Sequence, residues 1–328
     1  EDGIRDDLVT GVQTCALPIL GRAGLDIYPE PPGTKIFDVN NFSSHLGGSA
    51  ANTCVALSNL GVSTDLLTCI SDDAIGEYII NKLNEFKVGI EHCRKVNKSF
   101  QTQIAVVETI LKNNQSILYR SNPCDLQLNK EDINKINFNN YAAVFISGTA
   151  LSGEPSRNAV LVASKLTSDL KIPLIIDLDY RPYNWESDTI KSDVYKEIMN
   201  EMDIIIGNDL EFNVADNSTN GLELAKVYIK KKPSVIVYKM GEEGSKVFTK
   251  ENESQYGTFN VEAIKPTGAG DAFNGGFISS LYNGLSLEDA VIRGSANAAI
   301  VVTRVGCSSA MPNNQELEKF INQNQKEL

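Results

Sequence analysis

Histidine is almost missing from this 328-residue chain, which holds only His45 and His92. Cysteine is sparse too: Cys15, Cys54, Cys69, Cys93, Cys124 and Cys307 stand apart, with no C-x-x-C pair. This leaves no basis for a zinc site. The thiols read as reduced groups of a cytoplasmic protein. Positive charge is also short, with 30 Lys and Arg against 42 Asp and Glu, a formal net charge of −12. That balance argues against nucleic acid or an anionic membrane as the main partner. An anionic substrate has to be met by local positive charge. No apolar run approaches the length of a membrane span. The phosphate loop G-x-x-x-x-G-K-[ST] is missing as well.

What is present centres on Pro266-Thr267-Gly268-Ala269-Gly270-Asp271-Ala272-Phe273-Asn274-Gly275-Gly276-Phe277. It reads as a small-residue turn running into a helix. Phe273, Phe277 and Leu281 recur at helical spacing, and Gly284 marks the stop. Gly268, Ala269 and Gly270 leave backbone N–H groups open to a ligand, and a helix N-terminus attracts anions. A carboxylate at Asp271 would repel a phosphate unless it takes a proton from an attacking hydroxyl. An anion hole beside a base is the equipment of phosphoryl transfer to an alcohol. The same residues also fit a plain turn with Asp271 as a helix cap. A dinucleotide fingerprint is excluded, because Phe273 stands where its third glycine is required.

The first 19 residues, Glu1 to Ile19, read as an atypical leader, disordered or foreign to the rest of the chain, with no signal-peptide pattern. Leu20 to Tyr28 reads as a strand end and a turn carrying Arg22 and Asp26. Gly47-Gly48-Ser49-Ala50-Ala51-Asn52 leads into an apolar helix. Thr64–Ile70, Ile104–Val107 and Ser116–Tyr119 read as strands, and Gly76–Phe86 as a helix. The last two strands flank a turn at Lys112-Asn113-Asn114 and form a flap-like hairpin. From Ala142 onward strands and helices alternate. The strands Ala142–Ser147, Leu174–Leu178, Asp203–Gly207 and Val235–Tyr238 are short apolar runs, as buried parallel strands are. The body is therefore α/β. Ligands gather at the C-terminal ends of such strands. Those ends carry Ser147-Gly148-Thr149, Asp177-Leu178-Asp179-Tyr180-Arg181, Asn208-Asp209-Leu210-Glu211 and Lys239-Met240-Gly241. A late helix starts at Ser286, with Asp289 three residues on, and passes through Asn297 towards Arg304.

At Gly47 to Asn52, Asn208-x-x-Glu211 and Gly268-Ala269-Gly270-Asp271, the chain resembles the ribokinase-type (PfkB) carbohydrate kinases, over roughly Leu20 to Pro312. The resemblance implies an α/β, ribokinase-like fold, with a mostly parallel central sheet flanked by helices and a small β-sheet lid. It implies a single kinase domain over 20–328 with lid segments near 34–46 and 94–124, and leaves room for a homodimer through the lid. Asp271 would be the base, and the backbone of Gly268, Ala269, Gly270 and Asp271 would hold the transferring phosphoryl group. Asp26, Gly47, Gly48 and Asn52 would bind sugar hydroxyls. Asn208 and Glu211 would organise phosphates and Mg²⁺, Glu211 holding the ion through water. Lys239, Gly241, Gly244 and Asn297 would lie along ATP. Each residue also has a plainer reading: a turn residue at Asp26, a helix cap at Asn52, a solvated acid at Glu211, a glycine-turn neighbour at Lys239 and a polar helix position at Asn297.

Within the family, Tyr119-Arg120-x-Asn122, Ser147 to Leu151 with Pro155-Ser156-Arg157, and Asp177 to Trp185 are most similar to kinases acting on keto-deoxy sugar acids. The substrate this implies is 5-dehydro-2-deoxygluconate, with 2-keto-3-deoxygluconate as the alternative. A non-catalytic sugar- or nucleotide-binding protein is the reading from another class. Arg120 and Arg181 would hold the acid group, since a neutral sugar needs no arginine; surface ion pairing is their plainer role. Many relatives carry potassium beside the anion hole, held by an aspartate six residues before the base. Lys265 stands at that position here. Its ammonium cannot coordinate a cation and would repel one, so it is expected to take the ion's place or to point to solvent.

Overall fold

The computed structural model describes residues 17–217 and 219–324. They fall into two compact units, each assembled from two separate stretches. One comprises the chain up to Gly21 and Leu126–Thr258; the other comprises Arg22–Asp125 and the chain from Phe259 onward.

The first unit is built on parallel strands β1 (Leu17–Leu20), β8 (Val144–Ser147), β9 (Leu174–Asp177), β10 (Ile204–Asn208) and β11 (Val235–Lys239), with an antiparallel edge of β12 (Ser245–Thr249) and β13 (Glu253–Tyr256). The strand order is β13-β12-β11-β10-β9-β8-β1. Its parallel members are runs such as Leu174-Ile175-Ile176 that are buried throughout, because helices cover parallel sheets on both faces. The helices are α3 (Lys130–Ile133), α4 (Ser156–Asp169), α5 (Asp188–Met199), α6 (Asp209–Ala215) and α7 (Gly221–Tyr228). The four expected strands lie where the sequence places them, to within two residues at each end. The edge hairpin was not anticipated. The exposed polar run Glu253-Ser254-Gln255-Tyr256 of β13 carries no apolar alternation to mark it.

The leader expectation needs correcting at its end. Leu17, Pro18 and Ile19 belong to β1, which pairs in parallel with β8 through Ile19 to Phe145 and Leu20 to Ile146. Leu17 and Ile19 are buried, and their apolar side chains make them core strand rather than leader. Residues 1–16, where the rest of that expectation falls, lie outside the described residues.

The second unit holds a four-stranded sheet in the order β3-β2-β6-β7. Here β2 (Gly24–Glu30) runs antiparallel to β3 (Asn41–Gly47) and parallel to β6 (Gln103–Val107), which pairs antiparallel with β7 (Ser116–Tyr119). The β6–β7 hairpin is as expected. Asp26, expected in a turn, lies within β2 instead, paired with His45 and Ala105. The small sheet is thus wider than the lid segments near 34–46 and 94–124. Part of the second segment, β5 (Cys93–Val96), pairs with β4 (Thr64–Ser71) instead.

Helices α1 (Ser49–Asn59), α2 (Ala74–Glu85), α8 (Ala269–Tyr282), α9 (Leu287–Val302) and α10 (Asn314–Asn324) complete this unit. Helix α8 packs against both α1 and α9. Glycine makes that approach possible: a Cβ at Gly275 would come within 2.3 Å of the Ala56 Cβ, and one at Gly276 within 2.6 Å of the Arg293 carbonyl. Phe277 is fully buried and anchors the same helix. Among the described residues no helix is long and apolar enough to cross a membrane.

Candidate active site

In the second unit, Gly268 is the N-cap of α8 in the left-handed conformation (φ 87°, ψ −6°), which a glycine adopts without steric cost. No side chain caps this helix start. The helix start thus offers the positive end of its dipole to the turn, with the Ala269 N–H in a long 3.4 Å hydrogen bond to the Pro266 carbonyl. Asp271 lies inside the first turn rather than at the cap, which removes the helix-cap reading. Its Oδ2 accepts a 2.8 Å hydrogen bond from Asn52 Nδ2. Asn52 lies inside α1, after an N-cap at Gly48, so it is no helix cap either. Its Oδ1 accepts from Ser308 Oγ at 2.7 Å.

Asp26 is buried, and desolvation pushes its carboxyl up to about 6 against the pull of Arg22. Tyr28 Oη donates to Asp26 Oδ2 at 3.4 Å and contacts Cys307 Sγ at 3.3 Å. Gly47 makes room for that carboxylate, since a Cβ there would fall 2.1 Å from Asp26 Oδ1. Gly48 likewise lies against the Arg22 carbonyl. Lys265 is 0% exposed, which removes the solvent-facing alternative. Its Nζ donates to the Thr267 carbonyl at 2.6 Å and the Val301 carbonyl at 3.3 Å. Burial lowers its pKa, while Cys307, Asp26 and Asp271 act in the opposite direction.

Two residues expected to contact ligands make hydrogen bonds within the protein. Arg120 forms a fork with Asp125, Nη1 to Oδ1 at 2.8 Å and Nη2 to Oδ2 at 2.7 Å, and both side chains are buried. Its Nη1 also donates to Gln103 Oε1. That guanidinium serves an internal carboxylate, because a buried charge demands a partner. Asn297 is fully buried and donates to the Ala272 carbonyl at 2.6 Å, tying α9 to α8.

In the first unit, Asn208 and Glu211 close a capping box at α6. The Asn208 side chain accepts from the Glu211 N–H at 2.9 Å, and Glu211 Oε2 accepts from the Asn208 N–H at 2.8 Å. Glu211 is buried rather than solvated. Desolvation and then Asp177 push its carboxyl up to about 7, with Lys239 opposing. Lys239 approaches Asp177 Oδ1 at 3.4 Å. Burial disfavours its charge, but Asp177 and Glu211 outweigh burial and hold the ammonium above its usual pKa. Arg181 reaches Asp179 Oδ1 at 2.9 Å and Glu211 Oε1 at 3.8 Å, and its side chain stays 44% exposed. Ser147 Oγ donates to Asp179 at 2.7 Å. Gly241 (φ 61°) and Gly244 (φ 84°) shape the turn after β11.

The sequence expectation gave no role to Asp177, Asp179, Asp125, Gln103, Ser308 or Cys307. The two aspartates had a usable signal, their place at the end of β9. The others had none. Among the described residues no group of three metal-ligating side chains could cage an ion alone. An oxygen donor such as Glu211 does suit Mg²⁺, which keeps several waters and uses few protein carboxylates.

Residues 16–314 match the family model described as pfkB family carbohydrate kinase. The 5-dehydro-2-deoxygluconokinase of Photobacterium profundum is 36% identical over 94% of this chain and 96% of its own length. An E. coli protein of ribokinase II type, solved with ATP and Mg²⁺, superposes with a TM-score of 0.85 at 19% identity, over 94% of this chain and all of that one. A fructokinase of Vibrio cholerae, solved with fructose, ADP and potassium ion, gives 0.81 at 20% identity, over 94% and 99%. These two likenesses show the fold.

Proposed function

The chain belongs to the pfkB family of carbohydrate kinases, and on that premise we propose that it moves the terminal phosphoryl group of ATP onto a hydroxyl of 5-dehydro-2-deoxygluconate. The observation that carries this reading is the Asp271 carboxylate, held by Asn52 in the first turn of a helix whose start no side chain caps. The substrate comes from the name of the Photobacterium relative.

In this reading Asp271 accepts the proton of the attacking hydroxyl as the new oxygen–phosphorus bond forms and the bond to the ADP oxygen breaks. The N–H groups at Gly268, Ala269, Gly270 and Asp271 stabilise negative charge on the phosphoryl oxygens. Asp26, with Gly47 and Gly48 giving it room, takes a sugar hydroxyl. Arg181, the exposed arginine of the two proposed for it, reads the acid group. Lys239 and the Gly241–Gly244 turn serve the nucleotide. Glu211 and Asn208 would hold Mg²⁺ through water; that ion, when bound, offsets phosphate charge. Lys265 supplies a built-in positive charge beneath the anion turn. The exposed Phe42, Ile117 and Tyr119 of the small sheet support a homodimer through that sheet. The same reading places the protein in the cytoplasm, where ATP is abundant and thiols stay reduced.

The test is ATP consumption against a panel of sugar acids and neutral sugars, with Asp271→Asn alongside. That variant should keep ATP binding and lose turnover by about 10²-fold or more. Near-parental turnover in Asp271→Asn, or no acceptor in the panel, would overturn the assignment.

A further inference from the structure

Ser308 lies just beyond α9, in a short turn that carries no motif. It is buried, and its Oγ donates to Asn52 Oδ1 at 2.7 Å. The Asn52 amide then donates through Nδ2 to Asp271 Oδ2 at 2.8 Å. The three groups form a directed chain from hydroxyl through amide to carboxylate. The direction matters, because an amide can be turned end over end at little steric cost. Turned around, Asn52 would set its carbonyl oxygen against the Asp271 carboxylate, two acceptors facing each other. A hydroxyl donor at Oδ1 selects the productive orientation.

We propose that Ser308 is a positioning residue for the kinase reaction, acting through Asn52 to fix the orientation of the Asp271 carboxylate. The inference rests on the reading of Asp271 as the base. Catalysis by a positioned base tolerates little error, since a displacement of about 1 Å can cost 10²-fold in rate. Ser308 spans 256 residues of sequence to reach Asn52, so only the fold brings it to the site. The side chain touches neither substrate nor phosphate in this scheme. Its removal should therefore reduce the rate of the chemical step more than the binding of either substrate.

The experiment is a double-mutant cycle on the full chain with Ser308→Ala, Asn52→Ala and the pair, each read as kcat, as KM for ATP and as Tm. Ser308→Ala should lower kcat by about tenfold, the rate equivalent of one hydrogen bond. KM for ATP should stay within about twofold. In the Asn52→Ala background the second substitution should cost nothing further in kcat. Ser308→Thr, which keeps the hydroxyl, should recover most of the rate. Multiplicative losses in the double variant, or a fall in Tm that accounts for the lost activity, would overturn the inference. If Asp271→Asn is active, the reading of the base fails first; if it is inactive and the cycle is multiplicative, only the role of Ser308 fails.

Discussion

Replacing Asp26 by asparagine should stabilise the protein at neutral and alkaline pH while weakening its hold on the sugar. The carboxyl is 5% exposed and titrates at about 6 instead of 3.8, because burial disfavours its charge. A folded-state pKa above the unfolded one means that the native state holds the proton more tightly. The associated stability is complete below pH 3.8 and is lost as pH rises through about 6. Above that point the buried charge costs on the order of 3 kcal/mol, the free-energy equivalent of the gap between the two values. Asparagine has nearly the same shape and carries no charge. Spread over a chain of 328 residues, 3 kcal/mol corresponds to a Tm rise of about 4 °C. The assay is differential scanning fluorimetry of both proteins from pH 4 to pH 8. The gap should be near zero at pH 4 and should open through pH 6, with the variant the more stable. An equal gap at every pH, or a less stable variant at pH 8, would refute the desolvation argument. The sugar KM should rise in the same variant, the usual exchange between site chemistry and stability.

Replacing potassium by sodium at constant ionic strength should leave turnover nearly unchanged, because the Lys265 ammonium already binds the Thr267 and Val301 carbonyls. Lys265→Asp should make the enzyme potassium-sensitive or inactive, and strong potassium activation of the parent would count against a built-in cation. Arg120→Ala should lower Tm and harm every substrate alike, since it strands the buried Asp125 carboxylate at a cost of about 3–5 kcal/mol. Arg181→Ala should lower kcat/KM for the sugar acid more than for a neutral sugar; equal losses would confine Arg181 to its ion pairs with Asp179 and Glu211.

The parallel strands of the first unit were legible because buried strands announce themselves as unbroken apolar runs, and Ser286 capped its helix as its pattern implied. Strand β3 was not, because Asn41-Phe42-Ser43-Ser44 is polar and largely exposed and owes its extended form to pairing with β2. At the site, spacing singled out Asp271, Asn52 and Glu211 because they stand in the first turns of helices, where local signals are strong. It did not foresee the pairing of Arg120 with Asp125, which is close in sequence but is recognised only by its burial. It could not see Ser308, since no local pattern marks a residue whose partner is 256 positions away.

The second unit joins Arg22–Asp125 to the chain from Phe259 onward, and that division orders events during synthesis. Its Asn52 leaves the ribosome long before Asp271, from which it is separated by 219 positions. Chains grow from the N-terminus, and long-range contacts wait for both ends. Until α8 arrives, the Asn52 amide has no Asp271 carboxylate to donate to, and Gly275 and Gly276 have not yet brought α8 against α1 and α9. The Asn52–Asp271 contact therefore waits until most of the chain has been made. On the reading of Asp271 as the base, a chain cut short before it would have no carboxylate there to accept the hydroxyl proton.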